Sequence, residues 1–369
     1  MQGSSPSNKN YNPQSRGPTE EIAKSWSSYV KGASVLNVPA VTDEAVFVQS
    51  GGILYGLGLE SGEKRWQHDV DLVTYPYAPA VANDTVYFVG SKTTLEGGGE
   101  GEVIAVDTTS GEIKWRLSTH VVSSPVISDG TIYVSNITSD GKGYLQAIDP
   151  NEGTEEWKFE LGCDTTDKLS LPAVTDGQAH VIASCENSDS EGGDLIAVDP
   201  VEGEQNWKYE ISTNPTSAPS VSNQIIYYTS DDFVHAIRDD GSEEKWRTEI
   251  DPRVSLGHSI AINERALFVD QAPGIKAIDK TTGQVMWHEY TDEKIIGLCA
   301  TDQYIYSGGG AVRATSVADG EAMGEYYRSG FSVNFSPPIV ANDSIYAASC
   351  VKNDRDDLYD HYIYEFVEN

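Results

Sequence analysis

The stretch 103-VIAVDTTSGEIKW-115 decides the fold, because it recurs. Related copies read 145-LQAIDPNEGTEEW-157, 195-LIAVDPVEGEQNW-207 and 275-IKAIDKTTGQVMW-287. Each is a short apolar run, a turn that ends in Gly, and a second run carrying Trp. The seven Trp residues, at 26, 66, 115, 157, 207, 246 and 287, stand 39 to 50 residues apart. Gly precedes Trp by four positions at Gly62, Gly111, Gly153, Gly203 and Gly283, and by five at Gly241. The D-x-x-[TE]-G turn needs a residue that accepts positive φ, and its Asp side chain can bond the turn amides.

Upstream of each copy lie runs such as 79-PAVANDTVYFVG-90 and 124-SPVISDGTIYVS-135. They are rich in β-branched and aromatic residues, and Asn-Asp, Asp-Gly and Ser-Gly turns separate them. Each unit therefore reads as four short strands. In the second unit these cover Pro79–Val81, Val86–Val89, Val103–Asp107 and Ile113–Leu117. A four-stranded unit with this period is the signature of a β-propeller, and Trp is large enough to fill the gap between twisted neighbouring sheets. Eight units can be counted. In the seventh, Gly324 stands at the Trp position. The eighth begins at 336-SPPIVANDSIYAAS-349 and ends at 361-HYIYEFVEN-369 without room for a fourth strand. The chain start, 21-EIAKSW-26, supplies one. The expected fold is thus an all-β, eight-bladed propeller of four-stranded antiparallel blades over residues 21–369. The N-terminal strand closes the ring and removes the open sheet edges. Residues 1–20 have a Ser-, Asn-, Gln- and Gly-rich linker composition.

Charge sets the second constraint. The chain has 369 residues, with 57 Asp and Glu against 25 Lys and Arg, for a formal net charge of −32. The carboxylates are spread along the whole chain. Phosphate-backbone binding rests on Lys and Arg, so nucleic acid is not an expected partner. Such a density repels itself in dilute buffer and is screened by salt, which reads as adaptation to a salt-rich habitat. No apolar run approaches the roughly 18 residues of a membrane-spanning helix. The start, MQGSSPSNKN, lacks a basic region followed by an apolar core, so no signal peptide is read there.

The copies A-V-D-T-T-S-G-E-I-K-W, A-V-D-P-V-E-G-E-Q-N-W and A-I-D-K-T-T-G-Q-V-M-W resemble the pyrroloquinoline-quinone (PQQ) repeat, roughly A-x-D-x-x-T-G-x-x-x-W. The resemblance covers about residues 20 to 369 and extends to the eight-bladed quinoprotein-like propellers, among them a lipoprotein that helps insert outer-membrane barrels. The acidic composition is similar to that of haloarchaeal members. The start 8-NKNYNPQSRGPTE-20 resembles the N-G-Y-N-P…G-P segment that precedes the first blade in such proteins. A repeat fold shared by enzymes and scaffolds does not by itself assign a function.

Enzymatic members of this group imply PQQ with Ca²⁺, a pair of adjacent cysteines over the cofactor, acidic Ca²⁺ ligands and a catalytic Asp in the central funnel. Here the cysteines are 163, 185, 299 and 350, none of them adjacent, and no C-x-x-C-H suggests covalent haem. Asp107, Asp149, Asp199 and Asp279 sit in the repeat turns and read as structural. No catalytic residue is assigned. No cofactor is required, and PQQ and Ca²⁺ stay open.

Aligning the blades just before the first strand brings Asn37, Tyr77, Ser123, Ser170, Ser217, His258, Ile296 and Ser336 to equivalent positions at the mouth of the central funnel. Two readings fit this polar ring, a concave ligand site and a ring of hydrated turn residues. The run 353-NDRDDLYDH-361 supplies Asp354, Asp356, Asp357 and Asp360. Alternating carboxylates bind Ca²⁺ in some loops, but the spacing of a defined calcium loop is absent, and a solvated acidic loop fits equally. Cys163 and Cys185 fall on connections of one face, where either a disulfide or two free thiols would fit; Cys299 and Cys350 read as core.

The expected role is a non-catalytic binding or scaffold propeller of an exported, cell-surface protein. Its partner, a protein or small ligand, would lie on the face with the long connections. The only membrane contact would be an N-terminal anchor. The alternatives are a PQQ-dependent alcohol or sugar dehydrogenase and a propeller that binds a sugar-like ligand.

Overall fold

The computed structural model describes residues 10–32, 37–70, 72, 77–91, 100–162, 166–175, 177–185, 192–230, 232–250, 260–271, 274–291, 294–328, 333–352 and 359–369. Eight antiparallel sheets form the blades of a closed propeller, and the described residues contain no helix. Blade 2 shows the pattern, with strands Ala80–Ala82, Thr85–Ser91, Gly101–Asp107 and Ile113–Thr119 paired in sequence order from inside to outside. In blades 4 and 8 the innermost strand is split into two segments that pair with the same second strand, Thr166–Leu169 with Ala173–Thr175 and Val333–Phe335 with Ile339–Ala341.

Burial follows position in the blade. The second strand of blade 2 is buried at every residue, because both of its faces pack on neighbouring blades, whereas the outermost strand alternates along Ile113–Thr119. Eight apolar clusters repeat around the ring, mostly between consecutive blades.

The turns behave as their chemistry requires. Gly111 adopts φ 73° and closes its turn on the Asp107 carbonyl at 3.0 Å. Asp107 accepts the amides of Thr109 and Ser110 at 3.1 and 2.9 Å. These bonds, led by the one from Ser110, pull its carboxyl down to about 2. Asp149, Asp199 and Asp279 accept two turn amides each in the same way.

Each Trp packs on the turn of the following blade. Trp66 Nε1 donates to the Thr108 carbonyl at 3.1 Å, Trp115 to Pro150 at 2.9 Å, Trp157 to Pro200 at 3.0 Å, Trp246 to Lys280 at 3.2 Å and Trp287 to Val317 at 3.0 Å. The glycine of the receiving turn lies under the indole, so a Cβ on Gly203 would come 2.7 Å from Trp157. The turn needs glycine twice, for its φ and for this contact. Trp207 departs from the rule. The turn it faces is one residue tighter, with Gly241 bonded to Arg238, and Gln178 bridges from Trp207 Nε1 at 2.7 Å to the Asp239 carbonyl at 3.1 Å.

Closure follows the expected route. Ile22–Val30 pairs antiparallel with Tyr359–Glu368 and becomes the outermost strand of blade 8. Trp26 lies against Tyr346 and donates to the Leu59 carbonyl of blade 1 at 2.9 Å. At the position lacking Trp, Gly324, the carbonyls of Thr19 and Glu20 occupy the space; a Cβ there would lie 2.7 Å from the Glu20 oxygen. Residues 10–20 are bonded more extensively than a linker composition suggests. Asn10 donates to Ile260 and accepts from Ala300, Asn12 donates to Val340, and Ser15 and Arg16 bond Asp343. Asn and Ser side chains suit such a strap, because short polar groups reach the exposed carbonyls and amides of turns. Cys299 and Cys350 are free and buried, as core residues should be; Cys163 and the side chain of Cys185 lie outside the described residues.

On the second strand, one slot faces each Trp. Phe47, Tyr87, Tyr133, His180, Tyr227, Phe268 and Tyr346 lie with ring centroids 5.7 to 6.2 Å from their Trp. Tyr87, Tyr133 and Tyr227 donate to the same carbonyl as the neighbouring Trp, at 3.1 to 3.2 Å. His180 is the outlier. It is fully buried, and neither ring nitrogen has a hydrogen-bond partner, although the Ala173 and Asp239 backbones face it. Burial pushes its pKa down to about 4. The unfolded chain therefore takes up a proton near 6.5 that the folded chain excludes, and stability falls as the pH drops from 6.5 towards 4. His180→Tyr fills the slot with the residue used in other blades. Denaturant unfolding should show a gain over wild type that grows by on the order of 2–3 kcal/mol across this pH range. A pH-independent difference would contradict the buried neutral imidazole.

Candidate functional site

The connections from second to third strand and from last strand to the next blade leave one face of the ring. The longest second-to-third connections run from Ser91 to Gly101, Cys185 to Gly193 and Lys352 to Tyr359, in blades 2, 4 and 8. The opposite face has short turns, including the left-handed pairs Asn223-Gln224 and Asn342-Asp343.

The serines of the polar ring share one local structure. Ser123 Oγ accepts the Ser135 amide at 2.9 Å and donates to the Ser124 carbonyl at 3.1 Å. Ser170 does the same with Ile182 and Leu171, Ser217 with Thr229 and Ala218, and Ser336 with Ala348 and Pro337, all at 2.9 to 3.0 Å. Each serine stands two residues before a proline. Proline two residues on favours an extended backbone before it, and in that geometry the serine hydroxyl supplies the acceptor for a second-strand amide. These hydroxyls serve their own blades first. Asn37 donates to the Gln49 carbonyl, and its own amide oxygen is buried without a partner. Gln49 in turn bridges to Val89 of blade 2 at 2.8 Å. Tyr77 packs half-buried on the cluster between blades 2 and 3. His258 lies outside the described residues, as do Asp354, Asp356 and Asp357; Asp360 is described. Among the described residues no three His, Cys, Asp or Glu side chains converge on a metal position.

One arrangement was not visible in the sequence. In blade 5, Ser230 Oγ lies 2.9 Å from His235 Nε2, and His235 Nδ1 lies 2.6 Å from Glu244 Oε1. The order hydroxyl, imidazole, carboxylate is that of a nucleophilic relay. Ser230 is fully buried, however, and the imidazole is stacked on Tyr228 at 4.6 Å. Burial pushes the His235 pKa down against the pull of Glu244. Blade 3 shows what the slot does. At the equivalent positions the Asn136 and Gln146 amides meet at 2.6 Å, and Gln146 Nε2 donates to Glu155 at 2.8 Å. A relay without a nucleophile occupies the same place, so the blade 5 relay joins strands. Its members are separated by five and nine residues, a spacing with no motif to announce it.

His235→Gln should consequently leave stability within about 1 kcal/mol of wild type, whereas His235→Leu should cost about 1–3 kcal/mol, because it leaves buried Ser230 and half-buried Glu244 without the imidazole. Urea unfolding of both variants checks this. Equal losses would contradict the bridging role.

Comparison with known proteins agrees with this geometry. A sequence model of the family described as outer membrane protein assembly factor BamB matches residues 78–287. BamB of Yersinia pestis is 26% identical over 151 residues, or 37% of this chain and 36% of that protein, so the alignment spans about a third of its length. The crystal structure of BamB from Moraxella catarrhalis superposes with a TM-score of 0.67 at 16% identity, covering 94% of this chain and 97% of that one. Quinohemoprotein alcohol dehydrogenase from Comamonas testosteroni superposes with a TM-score of 0.74 at 12% identity, covering 97% of this chain and 78% of that one. At such identities the structural likeness shows the fold alone.

Proposed function

The chain belongs to the PQQ-repeat propeller family of the outer membrane protein assembly factor BamB, and from that premise we propose that it is a non-catalytic scaffold that binds another protein. The observation that carries this reading is the polar ring, where the hydroxyls of Ser123, Ser170, Ser217 and Ser336 complete the blades from which they project. The partner would meet the face with the long connections, near Tyr77, His258 and the segment from Asp354 to Asp360. The name of the BamB relatives, assembly factors of outer membrane proteins, supports a protein partner and a location at the cell envelope. The strap at residues 10–20 would carry a tether out from the short-turn face.

A dehydrogenase would need a site for PQQ and Ca²⁺. The adjacent cysteine pair implied by the enzymatic members is missing from the sequence, and the described carboxylates do not gather into a cation site. The described residues do not fit the group, and no catalytic step is derived through it.

The test sets the two readings against each other. The purified chain, incubated with PQQ, Ca²⁺ and primary alcohols or aldoses, should reduce no acceptor dye. Crosslinking in native envelopes at high salt should join it to one defined protein through the long-connection face. Dye reduction dependent on PQQ would overturn the scaffold reading.

A further inference from the structure

The repeat contains its own control for what an outermost strand should expose. Three residues beyond the Trp position, each outer strand reaches the long-connection face. In blades 1 to 5 that position holds Asp69, Ser118, Glu160, Glu210 and Glu249, all exposed. In blades 6, 7 and 8 it holds Tyr290, Tyr327 and Tyr29, which are 72%, 46% and 50% exposed. Strand register supports the equivalence, since the Trp positions of blades 5, 6 and 7 oppose Ala236, Ala277 and Ala314. A fourth exposed tyrosine, Tyr359, opens the third strand of blade 8 on the same face. Isolated exposed apolar residues are ordinary. Three consecutive blades that replace a polar, mostly acidic residue with Tyr, in a chain of net charge −32, form a pattern.

We propose that this tyrosine arc over blades 6 to 8 is the docking surface, and that its occupant is a polypeptide segment bearing arginine or lysine. Two observations select this chemistry. Cations already sit on aromatic groups here: the Arg328 guanidinium lies 5.0 Å over the Tyr362 ring, which meets Tyr29 edge-on at 5.8 Å, and Arg313 reaches the Tyr327 hydroxyl at 3.5 Å. Tyr faces attract such cations. The arc is also bounded at both ends by carboxylates, Glu249 of blade 5 and Asp69 of blade 1, within a strongly negative molecule that draws basic partners by long-range attraction. Tyr is in addition a favoured anchor of protein interfaces, because it offers a large rigid area at low entropic cost. The proposal rests on the scaffold reading and specifies its surface and partner.

The experiment uses the full chain and a fluorescent peptide of alternating Arg and Pro, titrated in low salt and in molar KCl. In molar salt general attraction is screened, and contact with the rings dominates. The variant Tyr29→Ser/Tyr290→Ser/Tyr327→Ser should bind about tenfold more weakly than wild type there, the sum of three exposed ring contacts. The control Glu160→Ser/Glu210→Ser changes equivalent positions of blades outside the arc and should lose affinity in low salt only. All five positions are exposed, so the folds should persist, as thermal melts of each variant will show. Absence of peptide binding by wild type in molar salt, or equal binding by the tyrosine variant, overturns the proposal. So does selective loss of binding to a soluble neutral glucan, which would make the arc a sugar surface. None of these outcomes bears on PQQ-dependent dye reduction, so the scaffold reading stands or falls separately.

Discussion

The contact between each indole and the next blade's turn governs this architecture. A four-stranded blade buries its middle strands only if it has neighbours on both sides, and hydrogen bonds within a blade do nothing to hold two blades together. The indole supplies that link in one side chain. It covers the glycine of the receiving turn, packs on an aromatic or imidazole ring of its own blade and donates its N–H to a carbonyl beyond. In blades 2, 3 and 5, where Tyr87, Tyr133 and Tyr227 fill the inner slot, the hydroxyl donates to the same oxygen, so both lone pairs of that carbonyl are used, whereas Tyr346 of blade 8 donates to Glu365. The exceptions reinforce the rule. Where the turn is tighter, Gln178 extends the reach of Trp207, and where Trp is missing, the backbone of Thr19 and Glu20 fills the gap over Gly324.

Much of this was legible in the sequence because the constraint repeats. Gly and Trp at fixed separation revealed the unit, the missing fourth strand after residue 361 predicted closure by the chain start, and Gly324 marked the place where Trp was absent. The polar ring could be aligned, but not weighed, from sequence. That Ser123 accepts an amide from the second strand depends on how the chain approaches its proline, a three-dimensional fact. The Ser230, His235 and Glu244 relay was hidden because cross-strand neighbours need not share a spacing. Residues 10–20 read as linker by composition, yet Asn and Ser are equally suited to bonding turn backbones, and only the fold supplies those turns.

Function is written at a different level from fold. Positions fixed by blade geometry recur in every unit, and what recurs everywhere explains the ring. A site specific to this chain has to break the repeat. The tyrosines at 29, 290 and 327 do so on consecutive blades, on the face that also carries the long connections.

The most direct measurement is the unfolding free energy of Trp26→Ala beside that of Trp115→Ala. Trp26 lies on a strand from the opposite end of the chain, yet the account gives it the same task as Trp115 inside its own unit. Both variants should lose about 3 kcal/mol in denaturant titrations, the low end for truncating a packed Trp, since Trp26 is buried and Trp115 half-buried. A loss at Trp26 within about 0.5 kcal/mol, the range of an ordinary surface substitution, beside a full loss at Trp115 would contradict closure of the ring by the indole contact.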